Sequence, residues 1–284
     1  MCKRSGFTIL FAAALFNALA VEPGVNREFP FQFHDGLIWL KVRVPQFAEP
    51  LNLLLDSGAE VSVLNLGTAQ KLGLKLGRRV RVQGVQTDAE GYWPEHWSAS
   101  LADVALPRDY LAVNLGSLSQ ACECAIDGLL GADFFREHVV QIDFTARKIR
   151  LLTSAERQVN DEALPLRTRR GVLAVPIRIN HHKPVWVRLD TGCASAVHWV
   201  TADVCPETCT RRMAVGLADV PALVTPTTVR LGITTFESVP TEVHQEEIFS
   251  GESGLLGNGL LSRFSSVTID VRAGRVLLDP GPRL

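Results

Sequence analysis

The chain has 284 residues, of which 46% are hydrophobic and 21% are charged, and its formal net charge is −1. This composition is typical of a globular protein that is long enough for one large domain or two smaller ones. A nearly neutral chain without a basic run offers no electrostatic surface for nucleic acid, so we expect no nucleic-acid partner.

The first twenty residues have the pattern of a secretory signal peptide. Lys3 and Arg4 form a positive region, Phe7–Phe16 is almost wholly apolar, and Ala18–Ala20 is a small-x-small cleavage site before Val21. An uncleaved membrane anchor is the alternative, but the apolar run is shorter than the roughly 20 residues that a bilayer span needs. We therefore expect residues 1–20 to be removed and the protein to be exported, either to a periplasm or out of the cell.

The rest of the chain alternates short strand-like segments with turns, which predicts an all-β fold. In the first half the predicted elements are strands at 37–44 and 51–55, a short helix at 67–72 ended by Gly73, a hairpin that opens at 80–82, strands at 97–106 and 111–115, and a hairpin over 139–152. In the second half they are strands at 172–179, 185–189 and 229–232 and a hairpin over 266–278. Residues 153–170 are polar and charged, which is typical of a linker.

One carboxylate motif occurs twice in matching surroundings. Asp56–Gly58 reads Asp-Ser-Gly after an apolar strand, and Asp190–Gly192 reads Asp-Thr-Gly after another. A Gly-Leu-Leu-Gly segment follows each motif, at 128–131 and at 254–257. A single Asp-Ser-Gly is more often a turn, but a repeated unit predicts a site with pseudo-twofold symmetry. Two carboxylates that meet on such an axis cannot both ionise easily, so one can act as an acid and the other as a base.

The two motifs resemble those of the aspartic peptidases, in particular the pepsin-like and retropepsin-like group, over nearly all of the mature chain. The resemblance implies an all-β fold of two pseudo-twofold-related lobes around a central cleft. The N-terminal lobe would span residues 21–155, the linker 156–170 and the C-terminal lobe 171–284.

The resemblance also implies roles for individual residues. Asp56 and Asp190 match the catalytic aspartates, and the hydroxyls of Ser57 and Thr191 match a hydrogen-bonded lock between the lobes. Gly58 and Gly192 match positions that support the pair of aspartates, and Leu130, Gly131, Leu256 and Gly257 match the supporting strands. The resemblance also implies a flap over Val82–Trp93, with Gly84, Tyr92 and Trp93 as candidate residues. Packing is an equally good interpretation of Trp93.

The mechanism implied by the resemblance is hydrolysis of an extended peptide or protein substrate by a water held between the two aspartates, without metal, cofactor or covalent intermediate. The protein would act as a monomer. Ala59 and Cys193 stand where pepsin-like members carry a hydroxyl residue, and loss of a hydrogen bond to the ionised carboxylate predicts a mildly acidic pH optimum. The alternative is a noncatalytic peptide-binding protein on the same scaffold.

Five cysteines follow the signal segment: Cys122, Cys124, Cys193, Cys205 and Cys209. An odd number leaves at least one thiol free or intermolecular. Cys205 and Cys209 could close a short loop, or either could pair with Cys122 or Cys124, whereas Cys193 is expected to be a small buried thiol beside the site. The spacings Cys-x-Cys and Cys-x3-Cys do not form a standard zinc set.

Other catalytic or metal-binding patterns are weak. The chain has no His-Glu-x-x-His, and His181 and His182 fit a solvated turn. His138 and His244 have no ligand partner nearby in the sequence. Ser253 lacks the second glycine of a Gly-x-Ser-x-Gly elbow. We therefore expect no metal site.

Overall fold

The computed structural model describes residues 27–45, 47–83, 88–153, 162–202, 210–214 and 220–281. The expected signal peptide lies outside these residues, as do Gly84, Cys205, Cys209 and residues 154–161. Within the described ranges the protein is mostly β, which confirms the predicted all-β class.

The first half of the chain supplies thirteen strands within the described residues. They are β1 (Arg27–Pro30), β2 (Gln32–His34), β3 (Leu37–Val42), β4 (Leu51–Leu55), β5 (Val63–Asn65), β6 (Leu76–Gln83), β7 (Asp88–Pro94), β8 (Ser100–Leu101), β9 (Val104–Ala105), β10 (Leu111–Val113), β11 (Gly128–Leu130), β12 (Val139–Asp143) and β13 (Lys148–Leu152).

The second half supplies eleven more within the same described ranges. They are β14 (Glu162–Pro165), β15 (Arg167–Arg169), β16 (Val172–Ile179), β17 (Val185–Asp190), β18 (Val197–Val200), β19 (Thr210–Ala214), β20 (Val220–Leu231), β21 (Thr234–His244), β22 (Gly254–Gly257), β23 (Ser266–Asp270) and β24 (Arg275–Asp279). The helices are short: α1 (Leu66–Lys71), α2 (Gly116–Ala121), α3 (Ala132–Glu137) and α4 (Asn258–Leu261).

Two eight-stranded sheets have the same strand order. The first runs β2-β3-β4-β11-β5-β10-β7-β6, and the second runs β15-β16-β17-β22-β18-β21-β20-β19. The pairing directions correspond as well, because β4 pairs parallel with β11 as β17 does with β22, and β5 pairs parallel with β10 as β18 does with β21. The duplicated sequence pattern therefore corresponds to a duplicated topology.

A six-stranded sheet joins the two halves, in the order β1-β13-β12-β23-β24-β14. Its centre is the antiparallel pair β12 and β23, in which Val140 lies opposite Ile269 and Ile142 lies opposite Val267. The hairpin β12–β13 lies on one side of this centre and the hairpin β23–β24 on the other. The sheet order is therefore symmetric about the boundary between the two halves.

The strands that carry the aspartates are central in their sheets. Leu53, Leu54 and Leu55 of β4 are each at most 2% exposed, because β3 and β11 flank the strand and apolar side chains cover both of its faces. The largest apolar cluster contains residues of both halves, including Leu53, Leu55, Val187 and Leu189. Packing on both sides therefore fixes the ends of β4 and β17.

Two predicted segments differ from the observed structure. Residues 97–106, expected to be one strand, form the two short strands β8 and β9, which are joined by a turn that contains Ala102 at φ +53°. Residues 162–165 and 167–169 lie in the range expected to be a linker, but they form β14 and β15. Sheet pairing decides this, because β14 pairs with β24 and β15 pairs with β16. The predicted domain limits themselves stay a prediction.

Among the residues with a described placement, no helix combines the length and the apolar character that crossing a bilayer requires.

Candidate active site

Each aspartate of the repeated motif lies where a central strand ends. The backbone N–H of Asp56 donates to the carbonyl oxygen of Leu130 at 2.9 Å, directly after β4. Asp190 is the last residue of β17 and lies opposite Gly257 of β22 in parallel pairing. The Gly-Leu-Leu segments of β11 and β22 thus pair directly with the two aspartate-bearing strands.

The two turns after the aspartates lie against each other. A Cβ added to Gly58 would lie 2.4 Å from Cγ of Asp190, and a Cβ added to Gly192 would lie 2.5 Å from Cγ of Asp56. Any side chain at either position would displace the opposite carboxyl group. Glycine is needed here for close approach, and the approach brings the two carboxyl groups close enough for each to influence the pKa of the other.

A reciprocal set of four hydrogen bonds joins the same turns. The Ser57 hydroxyl donates to the Leu189 carbonyl at 2.7 Å and accepts from the Thr191 backbone N–H at 3.1 Å. The Thr191 hydroxyl donates to the Leu55 carbonyl at 2.9 Å and accepts from the Ser57 backbone N–H at 2.9 Å. Both side chains are fully buried, so this network holds the aspartates in register.

The two carboxyl groups have unequal hydrogen-bond partners. Oδ1 of Asp56 accepts from the backbone N–H groups of Gly58 and Ala59, both at 3.0 Å. Oδ1 of Asp190 accepts from Gly192 N–H at 2.9 Å. Because backbone donors stabilise a carboxylate, the second donor favours ionisation of Asp56 over Asp190.

Burial and mutual repulsion move the titration of the pair upward. Burial raises the pKa of Asp56 above its ordinary value, although the N–H of Ala59 and the charge of Arg188 oppose this change. Burial, and after it the charge of Asp56, raises the pKa of Asp190 to about 8. The pair therefore keeps one proton at neutral pH, and the hydrogen bonds favour its location on Asp190.

Arg188 is a further residue of the site whose role sequence analysis did not recognise. Its Nη1 donates to the Gly58 carbonyl at 2.6 Å, and its Nε and Nη2 donate to the two carboxylate oxygens of Glu252, the Nε contact at 2.8 Å. Its guanidinium also lies 3.7 Å from the centre of the Phe249 ring. Arg188 and Asp190 are two residues apart on one strand, and this spacing was the available signal, since such residues share a face.

The charge of Arg188 lowers the pKa of both aspartates. We expect Arg188→Met to raise the pKa values of both aspartates, by roughly 1 or less, because removal of a nearby cation disfavours each carboxylate. Arg188→Lys, which keeps the charge, should shift them less, and Arg178→Met on the exposed face of β16 is the matched control. Carboxyl-carbon NMR measures this, and unchanged aspartate titrations in Arg188→Met would contradict this role for Arg188.

Two polar side chains support the turns from behind. Asn258 donates from Nδ2 to the Thr191 carbonyl at 2.6 Å and to the Gly36 carbonyl at 2.9 Å. In the other half, the Asp133 carboxylate accepts from Ser62 N–H at 2.9 Å and from the Ser62 hydroxyl at 2.7 Å. Asp133 therefore has a structural role, because it fixes the Ser62 backbone and hydroxyl.

The flap candidates have described contacts away from the carboxyl pair. Tyr92 and Trp93 lie on β7, where the Tyr92 hydroxyl donates to Glu90 at 3.4 Å and Trp93 packs against an apolar cluster. Trp93 also lines a cavity of about 520 Å³ with Arg78 and Asp109, and neither Asp56 nor Asp190 lines that cavity. The role of Tyr92 and Trp93 in a flap stays a prediction.

The described cysteines are free thiols. Cys122 and Cys124 are free thiols, and Cys205 and Cys209 lie outside the described residues, so the pairings that involve Cys205 or Cys209 stay a prediction. Cys193 is partly exposed rather than fully buried, but it does lie beside the site, with its thiol close to Gly257. Burial, and then the negative charge of Asp190, raises the pKa of this thiol well above its ordinary value. A thiol that stays protonated is a poor nucleophile.

A buried group of ionisable side chains near the second aspartate turn was missed in the sequence. His198, Glu242 and His244 lie together on β18 and β21. The expectation that His244 lacks ligand partners is wrong, because its Nε2 lies 2.9 Å from Nδ1 of His198. Residues 242 and 244 are two apart in the sequence, so in a strand they lie on the same face, but the pairing of this strand with β18 is known only from the fold.

Comparison with models of known protein families gave no match, and comparison with curated proteins gave none either. Function is therefore inferred from the site itself.

Proposed function

We propose that this protein is an exported aspartic endopeptidase that hydrolyses peptide bonds with Asp56 and Asp190. The observation that carries the proposal is the pair of carboxyl groups, which come from corresponding turns of a duplicated topology and are in mutual contact. We further propose that the two eight-stranded sheets are the two lobes of an aspartic-peptidase fold, in which the cleft between them binds substrate.

The unequal environments of the two aspartates assign their roles. Asp56, with two backbone donors on one oxygen, is the carboxylate that accepts a proton from the attacking water. Asp190, whose pKa is raised to about 8, is the acid that donates its proton to the carbonyl oxygen of the peptide. The water oxygen bonds to the carbonyl carbon and gives a neutral tetrahedral diol.

Collapse of the diol restores the enzyme. The proton on Asp56 passes to the leaving nitrogen, the carbon–nitrogen bond breaks, and one diol hydroxyl returns its proton to Asp190. The products are a carboxyl group and an amine, and the pair again holds one proton. The two carboxyl groups therefore exchange roles between the steps, as microscopic reversibility requires.

The other candidate nucleophiles at the site fit a covalent route poorly. The hydroxyls of Ser57 and Thr191 are buried, and each already donates to a backbone carbonyl across the two turns. Burial and nearby carboxylates raise the pKa of the Cys193 thiol, and no positively charged group is among the main causes of this shift. Direct attack by water is the route that these environments favour.

The substrate we propose is an extended segment of peptide or unfolded protein. Extended peptides bind clefts through main-chain hydrogen bonds, with alternate side chains in pockets. The hairpin β6–β7 is the proposed flap over the bound chain, by its position after the first aspartate turn. Action as a monomer follows from the presence of both aspartates in one chain.

The pH dependence of kcat/KM should be bell-shaped, with its maximum in the mildly acidic to neutral range. Activity needs one proton on the pair. It therefore falls on the acid side as Asp56 protonates, and falls on the basic side as Asp190 loses its proton at about pH 8. Initial rates with one peptide from pH 3 to 10 measure this, and a maximum below about pH 3 would contradict it.

The proposed function is tested by incubating the protein with an unfolded protein substrate at pH 5–7 and identifying the products by mass spectrometry. We expect cleavage within the chain that a statine-type transition-state analogue blocks and that serine- and cysteine-directed reagents leave intact. If the folded protein binds unfolded chains without cleaving them, the noncatalytic peptide-binding function replaces this proposal.

A further inference from the structure

The buried cluster of His198, Glu242 and His244 lies on two adjacent strands of the second sheet. β18 pairs parallel with β21, and His198 lies opposite Glu242 in this pairing. Glu242 and His244 are separated by one residue, so their side chains share the face of the sheet on which His198 lies. The pairing of these two strands therefore places two imidazoles and one carboxylate next to each other.

The cluster is compact and almost completely shielded from solvent. His198 is 5% exposed, Glu242 is 6% exposed and His244 is 3% exposed. Nδ1 of His198 lies 2.9 Å from Nε2 of His244 and 3.6 Å from Oε2 of Glu242. The three potential ligand atoms all lie within 4.8 Å of one another.

Protein groups leave this cluster incompletely satisfied. Oε1 of Glu242 accepts from the Ser195 hydroxyl at 2.5 Å, but Oε2 has no hydrogen-bond partner among the described residues. Nδ1 of His244 is also buried without a partner in the described part of the chain. A buried polar atom without a partner is costly, so an atom that satisfies both groups at once would stabilise the cluster.

We propose that His198, Glu242 and His244 bind one divalent cation of the zinc type. Nδ1 of His198, Nε2 of His244 and Oε2 of Glu242 are the ligand atoms. Two nitrogen ligands and one carboxylate form a common zinc donor set, with ligand bonds of about 2.0–2.2 Å. In a tetrahedral arrangement these bonds separate the ligand atoms by roughly 3.3–3.5 Å. The observed separations of 2.9 and 3.6 Å lie on either side of this range.

The surroundings supply an outer shell and an adjoining cavity. The hydroxyl of Ser195 donates to the other carboxylate oxygen of Glu242, which is the type of contact that orients a metal ligand. A cavity of about 220 Å³ is lined by Ser195, Glu242 and Arg263, among others, so Glu242 is the one proposed ligand that borders it. Three protein ligands leave a fourth coordination position for water or another small ligand.

The cation would stabilise the turn that carries the second aspartate. Ser195 belongs to the segment that follows Asp190, and its carbonyl accepts from Gly259 N–H at 3.2 Å. The Cys193 carbonyl of the same segment accepts from Asn258 N–H at 2.8 Å. Because Glu242 holds the Ser195 side chain, an ion on Glu242 would reduce movement of this segment. The ion would have no part in the hydrolysis itself.

The test uses the exported protein, freed of metal by chelator dialysis and titrated with Zn²⁺ against a chromogenic competing chelator. We expect one equivalent bound and an increase in Tm with zinc concentration, because binding to the folded state stabilises it. The variants Glu242→Gln and His244→Gln should each weaken Zn²⁺ binding by about tenfold to 100-fold. His181→Gln, at an exposed position of the same half, is the matched control and should bind as the wild type does.

Co²⁺ provides a second measurement that does not depend on the variants. We expect Co²⁺ to bind the wild type with the visible absorption of a four-coordinate site and to be displaced by one equivalent of Zn²⁺. If the folded wild type binds neither ion stoichiometrically, or if the Glu242 and His244 variants bind as tightly as the control, the proposal is overturned and the cluster is a hydrogen-bonded network. None of these readouts depends on peptidase activity.

Discussion

Single replacement of Asp56 or Asp190 by Asn should reduce kcat/KM for peptide hydrolysis by at least about 10⁴-fold. The substitution is nearly isosteric, so the contacts of Gly58 and Gly192 with the opposite side chain are kept. An amide cannot accept the proton of the attacking water at position 56. It also cannot deliver the proton held by Asp190. Rates for a single peptide, measured with purified folded variants, provide the comparison.

The double variant distinguishes a shared site from two independent groups. In the proposed mechanism the carboxyl groups act as a unit, so the Asp56→Asn, Asp190→Asn double variant should lose little more activity than either single variant. Asp103→Asn, at an exposed position, is the matched control and should keep wild-type activity. Retention of activity within tenfold of wild type in either single variant would exclude the paired mechanism.

Thr191→Val should produce the largest loss of stability among conservative changes at the site. Valine has nearly the same shape, but the change removes the hydroxyl and leaves Ser57 N–H and the Leu55 carbonyl without their buried partner. Each of these two unsatisfied buried groups costs about 1–3 kcal/mol, so the free energy of unfolding should fall by roughly 2–6 kcal/mol. Tm should decrease on the order of 10 °C for a protein of this size.

Thr191→Ser separates the hydrogen-bonding role from the packing role. It keeps the hydroxyl and should recover most of the stability that Thr191→Val loses. Thr168→Val, on the exposed edge strand β15, removes a hydroxyl that has no such buried role and should change Tm little. Equal stability of Thr191→Val and the wild type in urea titration would show that the lock between the two turns is unimportant.

The core of the site can be predicted from sequence because its information is local. Asp56–Gly58 and Asp190–Gly192 each follow an apolar strand, and the strand, the turn and the glycine are consecutive in the chain. The partner strands are also recognisable, since β11 and β22 carry the same Gly-Leu-Leu sequence. The repeat then indicates symmetry, and symmetry brings the two turns together.

Features that depend on pairing between distant segments could not be predicted in this way. Glu252 lies 64 residues from Arg188, and no periodic pattern connects them. The cluster of His198 and His244 needs the register between β18 and β21, which only the folded sheet defines. Strand β14 lies within a polar and charged stretch, residues 153–170, that resembles a linker, yet pairing with β24 makes it an edge of the six-stranded sheet. In these cases the contacts and the strand depend on pairing between distant segments, which local sequence propensity does not determine.

Carboxyl-carbon NMR of protein labelled at aspartate Cγ tests whether Asp56 and Asp190 share one proton. The wild type should show a carboxyl resonance that titrates near pH 8, at the raised pKa of Asp190. This transition should disappear in Asp190→Asn and should move to lower pH in Asp56→Asn, because the neighbouring negative charge is then absent. Full ionisation of both carboxyl groups below about pH 5 in the folded wild type would contradict the shared proton and the mechanism built on it.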